Sequence, residues 1–164
     1  DNLSINPDRS EKRRNSTIAR EAYFLDYAAN IKKTISIPVI VTGGFRTRSA
    51  MESAIGNNAC EMIGVGRPLC ADPLSIKKLL NGEIGQLSRY EKSLSFGPWI
   101  FSPSSPFRLI QAINGFGAQA WFYQQIKRIS LNEDPDLSMS VFAALRKDLA
   151  EDVAAVKALK GEYK

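Results

Sequence analysis

The sequence predicts an α/β fold in which strands of a parallel sheet alternate with helices and a helical extension follows. Three observations predict it. Pro38-Val39-Ile40-Val41-Thr42 is a short apolar run rich in β-branched residues, and it stops at Gly43-Gly44. Cys60 to Gly66, with Met62, Ile63 and Val65, is a second such run ending in glycine. Neither shows the polar alternation of a half-exposed strand, which is how strands covered on both faces of a parallel sheet read. Segments with helical spacing follow each run, so the order is β-α-β-α.

Residues 1–16 are polar, without an apolar period, and read as a loop; Leu3-Ser4-Ile5 marks the remnant of a third strand. From Thr17, the residues Ile18, Ala22, Leu25 and Ala29 follow the spacing of one helix face. Tyr23, Phe24 and Tyr27 widen that face as packing residues, and Lys32 and Lys33 suit the negative C-terminal turn. After the first strand, Ser49 and Glu52 match a capping box ahead of Ala50, Met51, Ala54 and Ile55, and Gly56-Asn57-Asn58 supplies the stop. Asp72 caps a third helix, with Pro73 at its first position, Leu79 and Leu80 inside, Lys77 and Lys78 late, and Gly82 beyond its end. This organisation places a barrel-like part at 1–87, a Pro/Ser-rich loop at 88–106 and a helical extension at 107–164.

The loop carries Phe96, Trp99, Ile100 and Phe101 among turn formers, and packing is the ordinary fate of such aromatics. In the extension, Phe107, Leu109, Ile110 and Ile113 form a short helical face broken at Gly115 and Gly117, and Trp121, Phe122, Ile126 and Ile129 form the next. Asp134-Pro135-Asp136 turns the chain into a last helix with the stripe Val141, Leu145, Leu149, Val153 and Val156. That stripe packs on the barrel or on a second subunit, so a homo-oligomer through the C-terminal helices is one of two expectations.

The chemistry lies at the two strand ends. Glycine lets backbone approach a ligand closely, and a following helix N-terminus favours an anion. Gly43 permits the tight turn, Gly44, Phe45 and Gly66 offer backbone, and Arg67 adds a guanidinium fork suited to phosphate oxygens. Arg46 and Arg48 are candidates for additional charge, although arginines opening a helix more often face solvent. In a (β/α)8 barrel the loops after the last two strands form the usual phosphate site, and two consecutive glycine-ended βα units fit it.

Charge and composition narrow the rest. The 164 residues carry a formal net charge of +5 and no histidine. Arg9, Lys12, Arg13, Arg14 and Arg20 hold most of the excess, but no aromatics are interleaved and Asp8, Glu11 and Glu21 dilute it, so no nucleic-acid partner is expected. Cys60 and Cys70 have no metal spacing and read as reduced packing residues. No apolar run approaches the roughly 20 residues of a membrane span and no signal peptide opens the chain, so no membrane partner and a cytoplasmic location are expected.

Ile37-Pro38-Val39-Ile40-Val41-Thr42-Gly43-Gly44-Phe45, then Ile63-Gly64-Val65-Gly66-Arg67-Pro68-Leu69 and Ala71-Asp72-Pro73, resembles the last two βα units of the old yellow enzyme family of FMN-dependent NAD(P)H oxidoreductases. Arg20 to Leu25 resembles that family's sixth barrel helix, and agreement is strongest from about Thr17 to Gly82. The resemblance implies the C-terminal portion, about two to three βα units, of a (β/α)8 TIM barrel, whose full form takes on the order of 250 residues. It implies that Gly43, Gly44, Phe45, Gly66 and Arg67 bind the FMN phosphate. In the complete enzyme it implies NAD(P)H as hydride donor and an activated alkene such as an enone as substrate. The family's substrate-orienting His/His or His/Asn pair and its proton-donating Tyr come from earlier strands, so no catalytic residue is assigned here and this chain alone is expected to be inactive. Other phosphate-binding barrels, among them dihydrouridine synthases, also end strands in glycine, and a truncated product acting only through partner contacts is a further reading.

Overall fold

The computed structural model describes residues 27–162; the strand remnant expected at Leu3-Ser4-Ile5 and the helix positions expected at 17–26 lie outside them. Helical turns at 27–32 (α1) precede β1 (Ile40–Thr42), α2 (Arg48–Gly56), β2 (Met62–Gly64), α3 (Arg67–Ala71) and α4 (Ser75–Leu80). Two short 3-10 turns, Tyr90–Lys92 and Trp99–Phe101, lead to α5 (Arg108–Ser130) and α6 (Val141–Glu162). The chain forms two compact units, one of residues up to Gly66 with Ile76–Leu87, the other of Arg67–Ser75 with everything from Ser88. Among the described residues no helix is long and apolar enough to cross a membrane.

In the first unit β1 and β2 pair in parallel, Ile40 beside Met62, Val41 beside Ile63 and Thr42 beside Gly64. The α/β class with a parallel sheet is thus present, in strands shorter than the apolar runs. Alternation sends Val41 inward, where it joins Ala28, Phe45, Ala54 and Cys60 in one core, with Val39, Ala50, Met51 and Ile63 packed around them. Tyr27 departs from expectation: it is 63% exposed, and Ala28 takes the inward position of α1. Lys32, at the end of α1, pairs with Glu61 and donates to Asn58 Oδ1 at 2.6 Å, while Glu61 accepts the Val39 amide at 2.7 Å. These contacts fasten α1 to the entry of both strands.

The N-terminus of α2 is capped by Thr47, not Ser49. Thr47 has the extended backbone a cap requires, and its Oγ1 accepts from the Ala50 amide at 3.4 Å. Ser49 is already inside the helix, and Glu52 lies one turn from Arg48, whose Nε it accepts at 2.6 Å. α4 likewise starts later than expected. Asp72 accepts the Leu74 amide on its side chain at 3.1 Å and the Ser75 amide on its carbonyl at 3.0 Å, so Pro73 and Leu74 form a turn and the helix opens at Ser75. Gly82 ends α4 as expected, at φ 77°.

The second unit holds a helix the sequence did not announce. α3 follows Gly66 directly, with Pro68 in its first turn, where a missing N–H is no loss. Ala71 packs with Leu94, Trp121, Phe122, Val141 and Ala144, and Cys70, Tyr90, Phe96 and Met139 border this core. Trp121 stacks on Tyr90 and meets Phe122 edge-on, while its indole N–H donates to the Met139 carbonyl at 2.9 Å.

Gly115 and Gly117 do not break the helix: α5 runs unbroken over 23 residues. A β-carbon on Gly117 would stand 2.4 Å from Val141 Cγ1 and 2.6 Å from Phe96 Cε2, so this glycine lets three elements meet. The packing outweighs the helix penalty of roughly 1 kcal/mol per glycine. α6 runs alongside α5 in the same direction: Val141 meets Gly117 and, ten residues on in each, Glu151 pairs with Lys127. Only the start of the expected stripe is covered. Val141 is buried and Leu145 half-buried, whereas Leu149, Val153 and Val156 are exposed; Ala144, outside the stripe, is buried as well.

Candidate functional site

Parallel pairing puts both strand ends of the first unit on one edge. Thr42 and Gly64 are register partners, so the chain leaves β1 into Gly43-Gly44 beside the point where it leaves β2 into Val65-Gly66. The approach is close: a β-carbon on Gly64 would lie 2.0 Å from Thr42 Oγ1. Gly43 and Gly44 take φ values of 137° and 75°, which side chains resist, and the Phe45 amide donates to the Gly43 carbonyl at 3.0 Å to close a three-residue turn. The Phe45 ring is among the most buried side chains and anchors this turn in the core.

The basic residues around the turn divide. Arg46 is buried; its Nη1 donates to the Phe45 carbonyl at 2.8 Å, and its own carbonyl accepts the Leu87 amide at 2.7 Å. Its guanidinium is therefore built into the loop, contrary to a solvent-facing helix start. Arg48 does face outward, with Glu52 and the Leu80 carbonyl as partners at 2.6 and 2.8 Å. Gly66 is exposed and a β-carbon there would meet nothing within 4 Å. Arg67 opens α3 in the second unit, where its half-exposed guanidinium stands 3.8 Å from Glu91. That is a loose surface pair of the kind worth ~0–1 kcal/mol.

Of the residues singled out, Gly43, Gly44, Phe45 and Gly66 belong to the first unit and Arg67 to the second. The buried Arg46 is the addition sequence reasoning undervalued. No local sequence signal separates it from a solvent-facing arginine at a helix entry. Cys60 and Cys70 are free thiols whose pKa values burial pushes up, which suits packing rather than reactivity. In the 88–106 loop Phe96 reaches the core of the second unit, while Trp99 is 90% exposed.

The class defined by this geometry is a parallel βαβ unit whose two strand ends both run into glycine. Comparison with known proteins makes it particular. The chain is 37% identical over 84 residues, 49% of its length, to the NADH-dependent flavin oxidoreductase iliE of Hypocrea jecorina. It is 30% identical over 115 residues, 68% of its length, to the NADH-dependent flavin oxidoreductase iccE of Talaromyces variabilis. The NADH-dependent flavin oxidoreductase iliE of a Neonectria species is 30% identical over 111 residues, 60% of the chain. The resemblance read from the strand-end motifs is thus a similarity to flavin oxidoreductases that covers about half to two-thirds of the chain. The chain spans 21%, 27% and 14% of the lengths of these three relatives. No family model matches it, and no solved structure matches it significantly.

Proposed function

We propose that this chain supplies the phosphate-binding part of an FMN-dependent oxidoreductase of the old yellow enzyme type, as the C-terminal portion of a (β/α)8 barrel. The observation that carries the reading is the shared edge of β1 and β2, where two glycine-marked ends lie side by side. The printed names of these three relatives, each an NADH-dependent flavin oxidoreductase, support the choice of a flavin. The opposite face of the strand pair supports a larger barrel. Ile40 and Met62 are register partners and are 58% and 57% exposed, whereas parallel strands are ordinarily covered on both faces.

The residues fit a phosphate. Gly43-Gly44 and Gly66 present backbone without side chains in the way, Arg46 adds a buried positive charge to the first loop, and Arg67 follows Gly66 in sequence, whereas the Phe45 amide is already donated to the Gly43 carbonyl. Hydrogen bonds to a charged group contribute roughly 1.5–3 kcal/mol each, so a few such contacts would anchor the cofactor at its tail. Bound FMN would supply hydride transfer from NAD(P)H to an activated alkene such as an enone. Thr42, Gly43, Gly44, Val65 and Gly66 carry no general acid or base, so the strand ends bind and orient, and proton transfer falls to other parts of the complete enzyme.

The test is a titration of the chain with FMN, following flavin fluorescence and far-UV circular dichroism together, beside the variant Gly66→Asp, Arg67→Ala. Open space around Gly66 means the aspartate adds charge without a clash. Saturable binding that the variant abolishes is the expected result. A cooperatively folded chain that ignores FMN, together with a longer protein that purifies colourless and takes up none, would overturn the proposal.

A further inference from the structure

The chain holds two Asn-Gly pairs, Asn81-Gly82 and Asn114-Gly115, in opposite surroundings. An asparagine followed by glycine is open to attack by the glycine nitrogen on the side-chain amide carbon, because no β-carbon shields that nitrogen and the glycine backbone turns freely. Asn114 is buried, its side-chain amide engages Phe96, Phe101 and Ile110, and α5 runs on through Gly115. Asn81 and Gly82 are both exposed, just past the end of the six-residue α4. The Asn81 side chain donates to the exposed Glu83 carboxylate at 3.0 Å, and the space where a Gly82 side chain would stand is empty. The Gly82 amide donates to the Leu79 carbonyl at 3.2 Å and has to be released before it can attack. At the end of so short a helix that opening costs little, whereas at Gly115 it would require breaking a long helix in its middle.

We propose that Asn81-Gly82 is a site of spontaneous modification, at which Asn81 is converted into aspartate and isoaspartate. The Gly82 nitrogen bonds to Asn81 Cγ and gives up its proton, and Nδ2 leaves as ammonia. The succinimide ring so formed takes up a water molecule and opens at either carbonyl, giving an aspartyl or an isoaspartyl link. Water enters, ammonia leaves, and no redox partner is needed. The consequence falls on the cap of α4. A carboxylate at Asn81 replaces the bond to Glu83 with repulsion and adds negative charge at a helix C-terminus, which the macrodipole disfavours. Isoaspartate also lengthens the backbone, so the two cap bonds, Gly82 to the Leu79 carbonyl and Glu83 to the Lys78 carbonyl at 2.9 Å, no longer close together. The adjacent Leu80 carbonyl holds Arg48 at the start of α2, and the chain beyond returns to Leu87, whose amide bonds the Arg46 carbonyl. Modification therefore loosens a segment that packs the glycine turn from behind.

Incubation of the intact 164-residue chain in mildly alkaline buffer, followed by peptide mapping with fragmentation that separates aspartate from isoaspartate, tests the proposal. The same chain in concentrated urea is followed beside it. We expect Asn81 to convert at least about tenfold faster than Asn114 in the folded chain, with both products present, and the contrast to vanish in urea. Asn81→Asp supplies one product directly and should speed hydrogen exchange of the Glu83 amide several-fold. An Asn81 that persists as long as Asn114, a contrast of the same size in urea, or aspartate without isoaspartate would each overturn the inference, and unchanged exchange in the variant would overturn the consequence drawn for the cap.

Discussion

Gly64 lies against Thr42 across the parallel pair so closely that an added β-carbon would stand 2.0 Å from the threonine Oγ1 and 3.0 Å from its Cβ. The strand therefore needs glycine here for contact, with no call on a special backbone angle. Gly64→Ala should destabilise the first unit by about 1–3 kcal/mol, the usual range for overpacking. Urea unfolding of the variant, and of the same change in a Thr42→Ala background, checks the cause. Removing the threonine hydroxyl and methyl should return most of the loss, and equal losses in both backgrounds would place the strain elsewhere.

The two glycines inside α5 should behave in opposite ways. Gly117→Ala drives a methyl into Val141 and Phe96 and should lower stability, with partial rescue by Val141→Ala. Gly115 has nothing within 4 Å of its would-be β-carbon, so Gly115→Ala should stabilise by roughly 0.5–1 kcal/mol through helix propensity alone. Paired thermal melts separate them by sign.

Asn114 pins the aromatic loop to α5. Its Oδ1 accepts the Phe96 amide at 3.1 Å, and its Nδ2 donates to the Phe101 carbonyl at 2.9 Å and the Ile110 carbonyl at 2.8 Å, while the residue is only 3% exposed. Asn114→Leu strands these partners, at about 1–3 kcal/mol for each that stays buried. Limited proteolysis should then cut between residues 95 and 106 faster than in the wild type, and unchanged cleavage would show the loop is held by its aromatics instead.

Glu61 makes the first unit sensitive to acid. The hydrogen bond from Lys32, helped by the Val39 amide, holds its carboxyl below the ordinary glutamate value of 4.5. A depressed folded-state value means the stabilisation is fully present above that ordinary value and is lost as pH falls through the lower one. Glu61→Gln should therefore flatten the acid limb of the stability profile while leaving it nearly unchanged in slope above pH 6, as denaturant midpoints across the range would reveal.

How far the fold was legible follows from which residues act locally. Pro38 to Gly44 and Cys60 to Gly66 announced the parallel pair because β-branched runs and glycine stops are short-range signals. The turn glycines of the candidate site were visible for the same reason. Gly117 misled, since its effect depends on Val141 and Phe96, which are distant in sequence. Ser49 also misled: a capping pattern does not fix which residue adopts extended backbone, and Thr47 did. The stripe of α6 was correctly apolar, but periodicity alone does not say that its first residue, Val141, is buried while Leu149, Val153 and Val156 stay exposed. Burial of Arg46 was hidden behind the expectation that charges at a helix entry meet solvent.

The residues of the two compact units alternate along the chain: it crosses from one to the other after Gly66, returns after Ser75 and crosses again after Leu87. No single scission, whether by a protease or by gene fission, can release either one whole. A fragment ending at Leu87 would carry Cys70 and Ala71 away from Leu94 and Trp121, and a fragment starting at Ser88 would lack α3 as the matching piece of its interior. The halves are bound to be made, inherited and lost together.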